Sequence, residues 1–234
     1  MQKIVGEKND KEIVKRSSFG GLTLFVLAFP LINIFLTELY SYIAEGTWRL
    51  PFRERSATTA FMCYWITIIP WVILLRRYKK WAERRRVFRI GNRIGSRAWI
   101  LLGVLLGGFL VFRFIHPHES SLLSTYRLHE ELWGQAWGII ITASLYFYYF
   151  FEGVMMAWIT DAFQTAGESL FHKIWIPWGG IGLALTWGVL HFFTKGLSMG
   201  IVAVFFGFFA GILFVLGQRN TWPPVVAWML NYFY

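Results

Sequence analysis

Long apolar stretches alternate with short polar ones along the whole 234-residue chain. They fall at 20–44, 57–75, 98–115, 133–160, 174–193 and 198–217, with a shorter run at 223–234. About 20 apolar residues in a helix cross the roughly 30 Å of hydrocarbon in a bilayer. No segment has the two-residue alternation of a membrane barrel strand, so spans of this kind must be helices that close their own backbone hydrogen bonds. The pattern predicts an all-α polytopic membrane protein with about seven transmembrane helices in one integral membrane domain over 1–234. Residues 1–115 would form a three-helix scaffold and 133–234 the core of the bundle.

Turn signals refine the fourth and fifth spans. Pro177 followed by Gly179 and Gly180 is a place for a helix to start. The fourth helix is therefore expected to run on to about Gln164. The stretch 173–178 would be interfacial, with Trp175, Pro177 and Trp178 at the headgroups, and the fifth helix would begin near Gly179.

Charge sets the orientation. The net charge of +10 might suggest nucleic acid, but the block 76–97 alone holds ten Lys/Arg and one acid between two spans. That is the positive-inside signal; it predicts a cytoplasmic loop touching anionic lipid, with the N-terminus on the same side, and no nucleic-acid partner. By the same count 116–132 and 194–197 face away from the cytoplasm, while 161–173 and 218–221 face it. The expected location is the cytoplasmic (inner) membrane of a bacterium. Trp48, Trp81, Trp99, Trp133, Trp175, Trp178 and Trp222 fall at predicted span ends, as interfacial belts require. Cys63 is the only cysteine, which excludes an internal disulfide. The first apolar run is too long for a cleavable signal peptide.

Polar residues inside the spans are where chemistry is to be sought. Glu152 is the only charged side chain between Trp133 and Thr160. A carboxylate at bilayer depth costs roughly 2.5–3.5 kcal/mol on insertion scales, and a chain carries that cost where the group meets a partner or a cavity. The delayed start of the fifth helix brings His191 inward to the depth of Glu152, and Asn231 lies in the last span. A buried carboxylate can take a proton from water, an imidazole can share that proton, and an amide can donate to the resulting oxyanion. Glu38 and Arg113 lie near outer span ends, where snorkelling to the interface would accommodate them. His116, His118 and His129 are expected in a solvated outer loop, and His172 at the interface. One Glu, one His and one Asn fall short of the three strong ligands of a catalytic zinc, so no metal and no cofactor is expected.

The flanks of these residues resemble the CPBP group of membrane proteins over roughly 145–234. That group includes the type II CAAX prenyl endopeptidases and bacterial relatives linked to bacteriocin self-immunity. Its pattern is EExxxR on one helix, FxxxH on the next, and HxxxN or a variant on the last. LTWGVLHFFTKG is similar to the second motif, with Trp187 at the Phe position and His191 as its His. GFFAGILFVLGQRNTWPPVVAWMLNY is similar to the third motif and its lead-in, ending on Asn231. FFEGVMMAW occupies the place of the first, with Glu152 as the leading Glu. The resemblance implies a helical bundle in which Glu152, His191 and Asn231 would be catalytic, by a glutamate-dependent route. The chain departs from the pattern at Gly153, Ala157 and Ala227, where the second acid, the Arg and the His of the last motif would stand. In the other register Glu152 is the second acid, with Phe151 and Met156 replacing the first acid and the Arg.

Losing members of a cooperating catalytic set costs orders of magnitude in rate. The favoured expectation is therefore a non-catalytic or reduced relative, acting as a binding or assembly subunit of a membrane complex. The alternative is an intramembrane endopeptidase acting on a membrane-associated peptide or protein. A minor alternative makes His191 an axial ligand to a haem or chlorin.

Overall fold

An apolar segment in lipid satisfies its backbone by coiling, and the chain does so almost throughout. The structure, a computed structural model, describes residues 2–48, 51–85, 93–115 and 122–233. Among these every regular element is helical: α1 (Gln2–Val26), α2 (Thr37–Glu45), α3 (Ala57–Arg85), α4 (Ser96–Ile115), α5 (Leu122–Phe171), α6 (Trp178–Leu183), α7 (Val189–Lys195), α8 (Leu197–Leu216) and α9 (Trp222–Phe233). Wider π-helical turns at Leu27–Leu36 and Ala184–Gly188 join α1 to α2 and α6 to α7 into continuous bodies. Residues 86–92 of the basic block, and His116 and His118, lie outside the described residues.

Five segments are long and apolar enough to cross a membrane: Lys15–Glu45, Ala57–Lys80, Ser96–Ile115, Leu122–Phe171 and Leu197–Leu216. The chain is an all-α helical membrane protein. The α6–α7 body and α9 fall short of that test. At 12 residues, α9 extends only about 18 Å at the rise of an α-helix.

The longest helix organises the rest. α5 packs against α1, α3, α6 and α9, and one apolar core runs through Leu24, Phe29, Trp71, Met155, Ile159, Leu183, Leu213 and Trp228. Indole and amide donors tie neighbours to specific partners. Trp71 Nε1 donates to the Ala28 carbonyl at 2.9 Å, in the π-helical stretch that contains Pro30. Trp65 Nε1 donates to Ser144 Oγ at 3.1 Å. α6 and α8 meet backbone to backbone: a Cβ on Gly211 would lie 2.4 Å from the Gly180 Cα. Small residues that let helices approach closely are the usual basis of packing in lipid, where no hydrophobic gradient drives association.

Several expectations need correction. The fourth helix does not stop near Gln164 but continues to Phe171, so Asp161 and Gln164, placed above in an inward loop or at its edge, are buried helical residues. Gln164 explains the continuation. Its amide donates to Glu168 Oε1 and the Ile176 carbonyl, and its Oε1 accepts the Gly179 N–H at 2.9 Å. Arg219 then clamps Glu168 with three bonds of 2.8–3.1 Å, tying the end of α5 to the turn before α9.

At the other end of α5, Gly134 has a non-helical backbone (φ 79°, ψ 166°) and the preceding arm doubles back. A Cβ on Gly138 would lie 2.9 Å from the Glu130 backbone. This buries His129, expected to be solvated, against Phe52 and Trp133 with Nδ1 2.8 Å from Thr142 Oγ1.

Neither Glu38 nor Arg113 snorkels alone. Glu38 pairs with Arg55 at 3.3 Å. Arg113 is only 6% exposed and points inward, its guanidinium donating to the Asn231 carbonyl at 2.8 Å. His172 is exposed at the end of α5, in a left-handed backbone conformation (φ 55°).

Candidate functional site

Helical spacing assembles the surroundings of Glu152. Residues three and four apart share a helix face, so Tyr149 and Tyr148 stand beside Glu152 one turn earlier on α5. Glu152 is 5% exposed. The polar groups acting on its carboxylate are the Trp187 indole N–H, the Lys195 ammonium and the Tyr148 hydroxyl. Tyr148 in turn accepts a hydrogen bond from Asn33 Nδ2 at 2.8 Å, linking the site to the π-helical stretch after α1. The Trp187 N–H has no partner within hydrogen-bond distance, so its interaction with the carboxylate is a longer one.

α9 contributes an aromatic ring where an amide was expected. Tyr232 stacks on Tyr149 with ring centres 3.6 Å apart and interacts electrostatically with Glu152. Asn231, one residue earlier, engages Arg113 through its carbonyl. Among the described residues no hydrogen bond or ion pair joins Asn231 to Glu152 or to His191. Trp228 completes the enclosure, edge-on to Trp187 at 5.2 Å and to Tyr232 at 5.0 Å.

His191 reaches the same cluster from the other side of Trp187. Its Nδ1 lies 2.9 Å from the Trp187 carbonyl, and its ring centre is 4.2 Å from that of Trp187. A carbonyl only accepts, so Nδ1 carries the proton and the lone pair of the neutral ring sits on Nε2. No hydrogen bond or ion pair runs from His191 to Glu152 among the described residues; Trp187 touches both. Of the three residues singled out in the sequence, Glu152 and His191 share one aromatic neighbour and Asn231 faces Arg113.

Of the three departures from the motif pattern, Gly153 lies against the Trp228 ring. A Cβ on Gly153 would fall 2.9 Å from Trp228 Cδ1, and Ala157 and Ala227 are fully buried. A side chain at Gly153 would need volume that the Trp228 ring occupies. Chemically, the result is one carboxylate in an aromatic enclosure with phenol and indole donors around it. It can hold a donor or a cation tightly. It has no second carboxylate or guanidinium among the groups acting on it. Among the described residues no group of three His, Cys, Asp or Glu side chains is close enough to hold a metal ion.

Tyr148, Tyr149 and Tyr232 are the participants that the sequence reading passed over. The signal for the first two was present in the i−4 and i−3 spacing before Glu152. Nothing in the linear sequence marked Tyr232 over Asn231. Comparison of the chain with protein-family models, with curated proteins and with solved structures gives no match.

Proposed function

We propose that the chain is a CPBP-like membrane protein that has given up the hydrolytic set and acts as a binding or assembly subunit of a membrane complex. The observation that carries this reading is the packing of Trp228 against Gly153, where an added Cβ would lie 2.9 Å from Trp228 Cδ1. Glu152 then fixes how α5, the π-helical turn before α7, and α9 sit together, a registry role known for buried polar groups. In the same reading the basic block 76–97 and the N-terminus lie on the cytoplasmic side of a bacterial inner membrane, with the block against anionic lipid.

The test is purification of the full chain in mild detergent, with identification of what accompanies it, for the wild type and for Glu152→Gln. The expected result is a stoichiometric membrane-protein partner present in both. A chain recovered alone, whose Glu152→Gln form abolishes a processing event at normal abundance, would overturn the reading in favour of the endopeptidase.

A further inference from the structure

We infer that the cleft between the doubled-back arm of α5 and the body of that helix binds one acyl chain of a bilayer phospholipid. The cleft is a consequence of the Gly134 reversal, which lays Leu122–Trp133 alongside the helix that follows. It is an open groove of about 880 Å³, lined by Leu123, Tyr126, Ile139, Ala143, Phe147 and Met229, among others. That volume is within the roughly 300–1,000 Å³ typical of small-molecule sites.

The lining decides the chemistry of the ligand. Its hydroxyl groups are already engaged elsewhere: Tyr126 with Glu130 at 3.1 Å, Thr142 with His129 at 2.8 Å, and Tyr146 with the Tyr232 carbonyl. A polar ligand would lose its water and find no partner there, which is unfavourable. An apolar chain loses nothing.

Position and size select among apolar occupants. The cleft follows α5 from Ile139 to Phe150, about 17 Å of helix, close to half of a roughly 30 Å hydrocarbon core. It is therefore about one leaflet deep. Its rims, Leu123, Ile139 and Phe147, are more than half exposed, so it opens sideways on a helix that crosses the membrane. A single acyl chain fits both dimensions. The arm, α5 and Met229 of α9 would hold it on three sides.

The full chain, reconstituted in phosphatidylcholine vesicles doped with an acyl-chain diazirine phospholipid, is photolysed and its labelled peptides are mapped. Labelling of residues 139–147 is expected to exceed several-fold that around Val104, an exposed site on α4 that lies outside the cleft. Ala143→Trp, which fills the cleft, should remove that excess and leave the α4 labelling unchanged. Ala143→Leu, a smaller obstruction, serves if the Trp variant does not fold. Equal labelling at both sites, or an excess untouched by either variant, would overturn the inference. So would a cross-link joining two chains through the cleft, which would identify a second copy as the occupant.

Discussion

The guanidinium of Arg113 reaches from α4 to the backbone carbonyl of Asn231, 2.8 Å away, in the last turn of α9. The final carbonyls of a helix have no partner within it, and a cation there also complements the helix dipole. Tyr146 supplies a second donor, to the carbonyl of Tyr232. A short helix whose end lies inside the protein is thus closed by two side chains from elsewhere in the bundle. Tyr232 is held in place against Tyr149 by the same two contacts.

Removing that donor exposes the weakness of α9. Arg113→Ala should destabilise the protein by about 1.5–3 kcal/mol, the usual worth of a hydrogen bond to a charged group. Thermal unfolding in detergent should register the loss as a lowered midpoint. Hydrogen exchange in 222–233 should rise more than elsewhere. An unchanged exchange rate in α9 would mean that the contact does not hold it.

Close approach of α6 and α8 makes a second expectation. Gly211→Ala puts a methyl where the Gly180 Cα stands, and should cost about 1–3 kcal/mol as overpacking. Gly107→Ala on α4, where nothing lies within 4 Å, should change stability by no more than about 0.5 kcal/mol. Similar melting points for the two variants would count against the packing described between α6 and α8.

The α5 arm is held by His129, so His129→Ala should loosen it. Hydrogen exchange across 122–133 should accelerate while α8 is unaffected. Thr142→Val removes the partner hydroxyl and should reproduce part of the effect, because the two side chains share one 2.8 Å contact. Protection that survives in both variants would show that the Gly134 reversal stands without them.

Much of this architecture was legible in the hydrophobic pattern. The runs at 57–75 and 98–115 lie within α3 and α4, that at 198–217 matches α8 to within one residue at each end, and Pro177 with its glycines marks the start of α6 within one residue. Hydropathy counts apolar residues and cannot register a hydrogen bond across 118 positions, so Arg113 read as an interfacial cation. For the same reason His129 read as solvated: the reversal that buries it depends on one glycine torsion. The site was half legible. Glu152 declared itself by its isolation, and its tyrosine neighbours by spacing, but which face α9 turns inward is set by tertiary packing.

Trp228 and Gly153 should be energetically coupled. Gly153→Ala brings a Cβ to 2.9 Å from Trp228 Cδ1 and should cost about 1–3 kcal/mol. Much of that penalty should vanish in a Trp228→Ala background, giving an interaction energy of at least about 0.5 kcal/mol in a double-mutant cycle. Gly153→Glu, which adds an acid beside Glu152, should lower abundance and bring no hydrolysis. Strict additivity of Gly153→Ala and Trp228→Ala would show that the ring does not limit this position.

On the function proposed above, Glu152 organises a packed aromatic site without activating water. Profiling protein termini in membranes from cells expressing wild type or Glu152→Gln at equal abundance tests it directly. Identical sets of termini are expected. A new terminus produced by the wild type, and lost with Glu152→Gln, would contradict it.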